Sequence, residues 1–383
     1  MSDIRESRPP PPSWINREFV ETALNNDGNG EKVTVESFTV GYANKEGVGF
    51  MSHMFRVVAA IRQEDSGNHP KVHLIVKCRD QQGQLQELVE ENNVFEMEAL
   101  LLSEVMPLVH GTLRAVEWAA FGPVAARCYW SGGRPSQFLV MEDLSEAGFT
   151  LAKAGHQLDY HHCLAALRAY ARLHAASAKV LEDLPHYKVV YDPSKSADER
   201  QMQLIKQMCD KVFSAVANAL KHCPEYDRNA EKFTRISDKV VEGTNRFRTS
   251  KDFSKVHSPA ADVQCFLNAN ASGQLQRQHF DSLVVEYHGT LQRTLRALAM
   301  HQQADAYPLR QLRADMDRAA VLGLFNCALR GLHLGTESHS DQVGQAFKKS
   351  DESSAALAAT YSNPECVSYL KYIAPIYESK GLL

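Results

Sequence analysis

The stretch from Phe138 to Leu144 most constrains how this chain can fold. Its first four residues form an apolar run rich in strand formers, which stops abruptly at the acids Glu142 and Asp143. Upstream, the sequence alternates in the manner of short strands joined by turns, whereas downstream the apolar residues recur at helical spacing. We therefore interpret this stretch as the hinge between a sheet domain and a helical domain, with a ligand-binding cleft between them. The alternative is an ordinary core strand that ends in a polar turn.

Length and composition fit two domains of an ordinary globular protein. The chain has 383 residues, of which 44% are hydrophobic and 23% charged, and its formal net charge of −4 gives no sign of a nucleic-acid or membrane partner. The charged N-terminus lacks the apolar core of a signal peptide, and no apolar run approaches membrane-spanning length. The 8 cysteines are scattered without CxxC spacing. We therefore expect a cytoplasmic protein with reduced thiols and no zinc site.

The chain before the hinge is predicted to hold five strands and one main helix. Residues 1–30 are predicted as an N-terminal arm with a short helix, and residues 31–143 as a domain that ends at the hinge. Within that domain, alternation predicts strands and helical spacing predicts one helix over residues 88–105. The predicted strands cover residues 33–42, 55–61, 72–77, 124–130 and 137–141.

A short glycine-containing segment joins the first two predicted strands. Gly47 and Gly49 lie there, followed by Ser52. Strand, glycine turn and strand together can cradle phosphate with backbone amides, because glycine leaves room for close approach. The same pattern is also typical of a plain hairpin, so both interpretations stay open.

Lys77 and Glu98 are predicted to form an ion pair. Lys77 ends the third predicted strand, where it could neutralise a nucleotide phosphate or lay its stem along a sheet edge. Glu98 borders the apolar stripe of the predicted helix, and an acid beside a buried face needs a partner. A strand lysine paired with a helix glutamate positions phosphates in kinases.

The chain after the hinge, residues 144–383, reads almost entirely as helix. Asp159 is predicted to cap a helix that runs to about residue 179. His174 shares the apolar face of that helix, and we predict a core histidine bonded to a nearby backbone group. Further helices are predicted over residues 196–222, 229–245, 279–300 and 367–377.

Several of these segments together resemble the ecdysteroid-kinase-like (CHK kinase-like) family. These are insect-type small-molecule kinases related to choline kinase and aminoglycoside phosphotransferases, and the similarity spans nearly the whole chain. The most specific matching segments are Phe138–Leu144 with Gly148–Phe149, Leu173–Ser177, Ser258–Asp262 with Phe266–Leu267, and Tyr287.

The resemblance implies an α+β, two-lobed protein-kinase-like fold, with a five-stranded antiparallel N-lobe and a mostly helical C-lobe. It implies ATP as donor, magnesium as cofactor and a small-molecule hydroxyl, for example on a steroid, as acceptor. The segment with Gly47, Gly49 and Ser52 would cover the ATP phosphates, and Lys77 and Glu98 would position them. Backbone groups of Glu142, Asp143 and Leu144 would hold adenine.

The sequence departs from the family where the catalytic residues should lie. Family members carry a His-Gly-Asp loop, a magnesium-binding Asn and an Asp-Phe-Gln just before the Ser-Pro-Ala segment. Here Val256 is followed directly by His257 and Ser258, and neither His-Gly-Asp nor Asp-Phe-Gln occurs in the chain. By the resemblance, roughly thirty residues are missing, including the phosphoryl-transfer machinery. We assign no catalytic residue and no metal ligand, because Asp252, His257 and Asp262 are poor substitutes.

Three hypotheses follow from this departure. The chain is a catalytically dead product of exon skipping or a gene-model error, a pseudokinase that binds a nucleotide or small molecule, or an active kinase with unrecognised ligands. The C-lobe is also predicted to lack the catalytic hairpin, with strain or poor packing at residues 256–257, because two distant chain ends must meet there.

Overall fold

A computed structural model gives the structure of the protein for residues 10–26, 32–43, 52–64, 67–79, 94–117, 124–134, 136–150, 157–191, 199–248, 259–330 and 351–383. The chain divides into two compact units. The first comprises Met1–Gly111 and Ala120–Leu151, and the second comprises Thr112–Ala119 and Ala152–Leu383.

The first unit is built on a five-stranded antiparallel sheet, whose strands lie side by side in the order Val33–Tyr42, Ser52–Gln63, Lys71–Arg79, Phe138–Glu142 and Cys128–Gly132. The prediction of five strands is therefore confirmed. In chain order its elements are α1 (Arg17–Asn25), β1 (Val33–Tyr42), β2 (Ser52–Gln63), β3 (Lys71–Arg79), α2 (Val94–Leu100), a π-helical turn (Leu101–Val105), α3 (Met106–Glu117, which runs past the unit boundary), β4 (Cys128–Gly132) and β5 (Phe138–Glu142).

The sheet of the first unit buries a different set of residues on each face. Alternate β3 residues such as Leu74 and Val76 pack with α1, whose cap Asn16 accepts a hydrogen bond from the Phe19 amide. The intervening residue Ile75 packs on the opposite face with Phe95 of α2. This alternation places odd-numbered side chains of β3 on the face that α2 covers.

The helix that covers the sheet continues beyond its predicted end at residue 105. A π-helical turn, Leu101–Val105, joins α2 to α3 just before Pro107. Proline has no amide hydrogen and clashes with the preceding turn, and a wider turn accommodates it without ending the helix. By length and composition alone, the stretch Phe95–Val116 could cross a membrane, although core helices of soluble proteins pass the same test. The expectation that no apolar run approaches that length is corrected accordingly.

The second unit is mostly helical, and the α+β class is therefore confirmed. Asp159 caps α4, as predicted, by accepting a hydrogen bond from the His162 amide. The predicted helix over residues 229–245 is wrong as a single element, because the chain breaks at Arg235 and Ile236 and buries Ile236. The elements are α4 (Tyr160–Asp183), α5 (Glu199–Lys221), α6 (Asp227–Thr234), α7 (Ser237–Arg248), α8 (Ala260–Asn270), α9 (Gly273–Ala297), α10 (His301–Ala306), α11 (Leu309–Arg318), α12 (Ala320–Arg330), α13 (Asp351–Tyr361) and α14 (Pro364–Ser379), with short 3₁₀ turns at Pro185–Tyr191 and Pro224–Tyr226.

A buried arginine fixes the end of α8, the first described element after residue 258. The side chain of Arg330 is only 4% exposed. It donates to the carbonyl oxygens of Ala271 (2.5 Å) and Asn268 (3.3 Å) and lies 4.6 Å from the ring centroid of Tyr369. Within the described ranges, no carboxylate pairs with it. The positive charge is therefore stabilised by the carbonyl groups at the C-terminal end of α8 and by the ring face of Tyr369.

The helix α12, which carries Arg330, packs closely on α8 at Gly323. Gly323 faces three buried polar groups, and a Cβ atom there would lie 2.7 Å from Gln264 Nε2, 2.8 Å from the Tyr377 hydroxyl and 2.9 Å from Asn268 Nδ2. The Tyr377 hydroxyl donates to Asn268 Oδ1 over 3.1 Å. Glycine is required here because the polar groups of the neighbouring helices approach its backbone closely.

Candidate functional site

Lys77 and Glu98 form the predicted ion pair. The Lys77 ammonium lies 2.5 Å from Glu98 Oε2, and the two side chains are 21% and 33% exposed. Lys77 lies opposite Met54 of β2 and Leu139 of β5, and it is therefore held between two neighbouring strands. The pair is half-buried, which strengthens its electrostatic interaction relative to one in water.

The local sequence explains why these two side chains meet. Lys77 lies two residues after Ile75 and projects from the same face of the sheet. Phe95 anchors α2 against that face and is 4% exposed, and Glu98 follows it by three residues, about one helical turn. Strand alternation and helical periodicity together bring the ammonium and the carboxylate to one position.

A second set of side-chain hydrogen bonds, which was not predicted, also involves α2. Gln137 donates a side-chain hydrogen bond to Glu96, and its own side-chain oxygen accepts one from Arg79 over 3.2 Å. Glu96 is exposed, and its contact with Gln137 connects α2 to the start of β5. Gln137 lies 41 residues from Glu96 along the chain, so no local sequence pattern predicts this contact.

The hinge residues Glu142, Asp143 and Leu144 differ in whether their backbone amides donate a hydrogen bond within the protein. The Glu142 amide donates to the Arg127 carbonyl over 2.9 Å, and the Asp143 amide donates to the His73 carbonyl over 3.2 Å. Among the residues that the structure describes, the Leu144 amide has no acceptor. At the three residues whose backbone groups are predicted to hold adenine, only the Leu144 amide therefore lacks an acceptor among the described residues.

The Asp143 side chain points into the first unit, where it is 4% exposed. Its Oδ2 accepts a 2.5 Å hydrogen bond from Arg56 Nε, while Oδ1 accepts bonds from the Ser145 amide (3.1 Å) and hydroxyl (2.6 Å). Burial raises the pKa of this carboxyl, but the hydrogen bonds from Arg56 and Ser145 outweigh burial, so the pKa lies below the ordinary 3.8. Asp143 is therefore a structural anchor that holds the residues after the strand.

The turn that follows is closed by its own hydrogen bonds. The Leu144 carbonyl accepts from the amides of Ala147 and Phe149, both over 3.1 Å. Gly148 adopts a φ of +85°, a conformation that residues with a side chain rarely take. The Phe149 side chain is 50% exposed, so this turn presents an aromatic ring to its surroundings.

The predicted phosphate-covering segment is only partly described. Gly47 and Gly49 lie outside the described residues, as does the junction at Val256 and His257, and the predictions for both stay predictions. Ser52 is the first residue of β2, lies opposite Arg79 and is 6% exposed.

His174 in the second unit contacts side chains and not the backbone group that we predicted. Its Nδ1 lies 2.7 Å from the Tyr287 hydroxyl, and its Nε2 lies 3.1 Å from Asp262 Oδ2. Tyr287 is fully buried, and this burial raises its hydroxyl pKa well above 10.0. Three helices, α4, α8 and α9, are thus joined through one imidazole. Both partners belong to segments that sequence analysis had singled out, but their separation along the chain hid the contact.

The residues present fit an adenine nucleotide better than a magnesium ion. The cation of Lys77 suits a phosphate, and the Leu144 amide suits an acceptor nitrogen of a base. Within the described ranges, no three His, Cys, Asp or Glu side chains are grouped so that they could hold a metal ion.

Comparison with known proteins identifies a family but no individual relative. The searches of curated proteins and of solved structures found no match. A family model described as the ecdysteroid kinase-like family matches residues 46–254 and 252–300, more than half of the chain. The chain therefore belongs to the ecdysteroid kinase-like family, whose members are small-molecule kinases.

Proposed function

We propose that this chain binds an adenine nucleotide through its first unit and is impaired in phosphoryl transfer. The ancestral activity would be ATP-dependent phosphorylation of a hydroxyl group on a steroid or another small molecule. The chain itself would act as a pseudokinase-type module that binds ATP or a small molecule. All eight cysteines are free, which supports a cytoplasmic location.

The ion pair between Lys77 and Glu98 is the observation that carries the nucleotide proposal. At 2.5 Å the carboxylate holds the ammonium in place two residues before the end of the central strand β3. An ammonium positioned in this way can meet a phosphate without first losing its side-chain freedom. The Leu144 amide, which has no acceptor among the residues that the structure describes, supplies a donor for the base from the same unit.

The loss of the catalytic segment supports the proposed impairment. Phosphoryl transfer needs a base that orients the acceptor hydroxyl and cations that offset the developing charge. The chain contains neither His-Gly-Asp nor Asp-Phe-Gln. The family match also divides into two segments at residues 252–254, close to the junction at Val256.

Nucleotide titration with matched variants tests the binding proposal. We expect ATP to bind saturably in a calorimetric titration, and Lys77→Met to weaken it about tenfold, which corresponds to ~1.4 kcal/mol. Glu98→Gln should weaken binding less, because the lysine remains but loses its orientation. Lys71→Met removes an exposed lysine from the same strand and serves as the control. No saturable binding by the wild-type chain, or equal effects of Lys77→Met and Lys71→Met, would refute the proposal.

Mass spectrometry tests the proposed impairment. The chain is incubated with ATP, magnesium and a panel of steroid and xenobiotic alcohols, and each alcohol is examined for the gain of one phosphate group. We expect no steady turnover. Sustained transfer would show that unrecognised residues perform the chemistry.

The second candidate is that this chain is a truncated form of an active kinase. The clean junction between Val256 and His257 favours it. Amplifying and sequencing the transcript across these two codons, beside the genomic DNA, separates the two cases. A longer transcript that encodes His-Gly-Asp and Asp-Phe-Gln would assign the activity to the longer chain, whereas an uninterrupted junction in both would make the loss inherited.

A further inference from the structure

Arg56 lies on β2, two strands away from the hinge strand, yet it reaches the hinge turn. In the sheet order, β3 separates β2 from β5. The guanidinium nevertheless contacts Asp143 through Nε at 2.5 Å and Nη2 at 3.5 Å, and Nη2 also lies 3.2 Å from the Ser145 hydroxyl. The long side chain therefore spans the intervening strand and holds two residues that flank Leu144.

We propose that Arg56 is a positioning residue of the nucleotide site, which fixes the hinge turn through Asp143 so that the Leu144 amide is presented to the adenine ring. This inference rests on the proposed nucleotide-binding function. It concerns a residue whose role is neither phosphate contact nor catalysis.

The contact between Arg56 and Asp143 is held in place at both of its ends. Arg56 lies within a strand that is paired on both sides, opposite Gly41 of β1 and Ile75 of β3. At the other end, the Asp143 carboxylate is almost completely buried and also accepts both Ser145 donors. Because charge-assisted hydrogen bonds are short and directional, they restrict the turn more than neutral contacts would.

The contact between Arg56 and Asp143 positions Leu144, whose amide has no acceptor among the described residues. Asp143 precedes Leu144 and Ser145 follows it, and both are tied to the same guanidinium. The Leu144 carbonyl also accepts hydrogen bonds within the turn, so the Leu144 amide is held in one orientation. A pre-oriented donor raises affinity because less conformational entropy is lost on binding.

Arg56 could instead contact a phosphate directly, and the register makes this alternative concrete. Arg56 is paired with Ile75, which lies two residues before Lys77, so both cations project from the same face of the sheet. The two roles differ in what they predict for a ligand without phosphate. A positioning residue affects adenosine and ATP alike, whereas a phosphate contact affects only ATP.

Titration of adenosine and of ATP with three variants separates these roles. We expect Arg56→Met to weaken both ligands equally, by about tenfold, and Arg56→Lys to restore part of the affinity because it keeps the charge but offers fewer directed donors. Arg62→Met is the control, since Arg62 lies on the same strand and its exposed side chain lies 3.9 Å from Glu36. Loss of ATP affinity alone, or unchanged adenosine affinity in Arg56→Met, overturns the inference while leaving the proposed function intact.

Hydrogen–deuterium exchange provides a readout that needs no ligand. In Arg56→Met without nucleotide, amides of residues 144–149 should exchange faster, while those of β1 and β2 should keep their protection. Unchanged exchange in the turn would show that Arg56 does not order it. A wild-type chain that binds neither ligand overturns the proposed function and this inference together, and the exchange result still reports whether the anchor exists.

Discussion

Replacing Arg330 by methionine tests how much this buried arginine stabilises the helices that follow residue 257. The guanidinium is 4% exposed and, within the described part of the chain, is balanced by two carbonyl oxygens and an aromatic ring. Methionine keeps the length and the apolar character of the stem but removes the charge and the donors. We expect Arg330→Met to lower the free energy of unfolding.

The magnitude follows from opposing contributions. Hydrogen bonds from a charged donor contribute about 1.5–3 kcal/mol each, and a desolvated cation over a ring contributes about 2 kcal/mol. Burying the charge without a carboxylate costs several kcal/mol, which removes much of that gain. In the variant, the Asn268 carbonyl still accepts a hydrogen bond from the Tyr369 hydroxyl, and the Ala271 carbonyl still accepts one from the side-chain amide of Gln276. Both carbonyls therefore keep a donor. We therefore expect a net loss of about 2–3 kcal/mol, well below the sum of the contacts.

Urea unfolding followed by circular dichroism measures this loss. Arg330→Lys is the informative companion, because it keeps the charge but has no planar group to stack on Tyr369 or to reach both carbonyls. We expect lysine to be at least as destabilising as methionine. If Arg330→Met is as stable as the wild type, desolvation of the cation cancels its contacts and our reasoning on this residue is wrong.

Three further perturbations have a defined direction. Asp143→Ala should lower the free energy of unfolding at neutral pH by about 2 kcal/mol. In urea titrations its difference from the wild type should shrink as pH falls from 3.8 through the lower pKa of the folded-state carboxyl, because the lowered pKa stabilises the fold only while the carboxyl is ionised. Gly323→Ala should lower the melting temperature despite the better helix propensity of alanine, since its Cβ would overlap buried groups, whereas Gly111→Ala, with nothing within 4 Å, should not. Tyr287→Phe should cost about 1 kcal/mol in chemical unfolding, because it removes the hydroxyl bound to His174, and a larger loss would point to a wider polar network.

Periodicity was sufficient to predict the elements that local sequence determines. The first strand was predicted over its observed range, Val33–Tyr42, and Lys77 and Glu98 were matched because one ends a strand and the other borders an apolar stripe. The break between α6 and α7 was missed because Phe233 and Ile236 continue the helical spacing across it. Ser237 and Asp238 are a typical helix start and could have indicated that boundary.

Contacts between distant residues could not be predicted in this way. Arg56 and Asp143 are 87 residues apart, and His174 and Asp262 are 88 apart, so neither pair leaves a local pattern. Asp143 was singled out for its position after an apolar strand, but the alternation of a strand does not say which acid will be buried. Only the pairing of the sheet brings Arg56 within reach of it.

The position of the segment that the resemblance implies is missing determines which part of the family chemistry we expect the chain to keep. Every strand of the first unit pairs with another strand of that unit, so the framework of Lys77, Glu98 and Leu144 does not depend on residues near the junction at Val256. If the family's metal ligands are absent, as we propose, Lys77 is the one cation we assign to the phosphates, and the base must supply most of the remaining affinity. We therefore expect ATP to bind no more than about tenfold tighter than adenosine, with little dependence on magnesium. A much larger preference for ATP that requires magnesium would mean that metal ligands are present and that the proposed impairment is wrong.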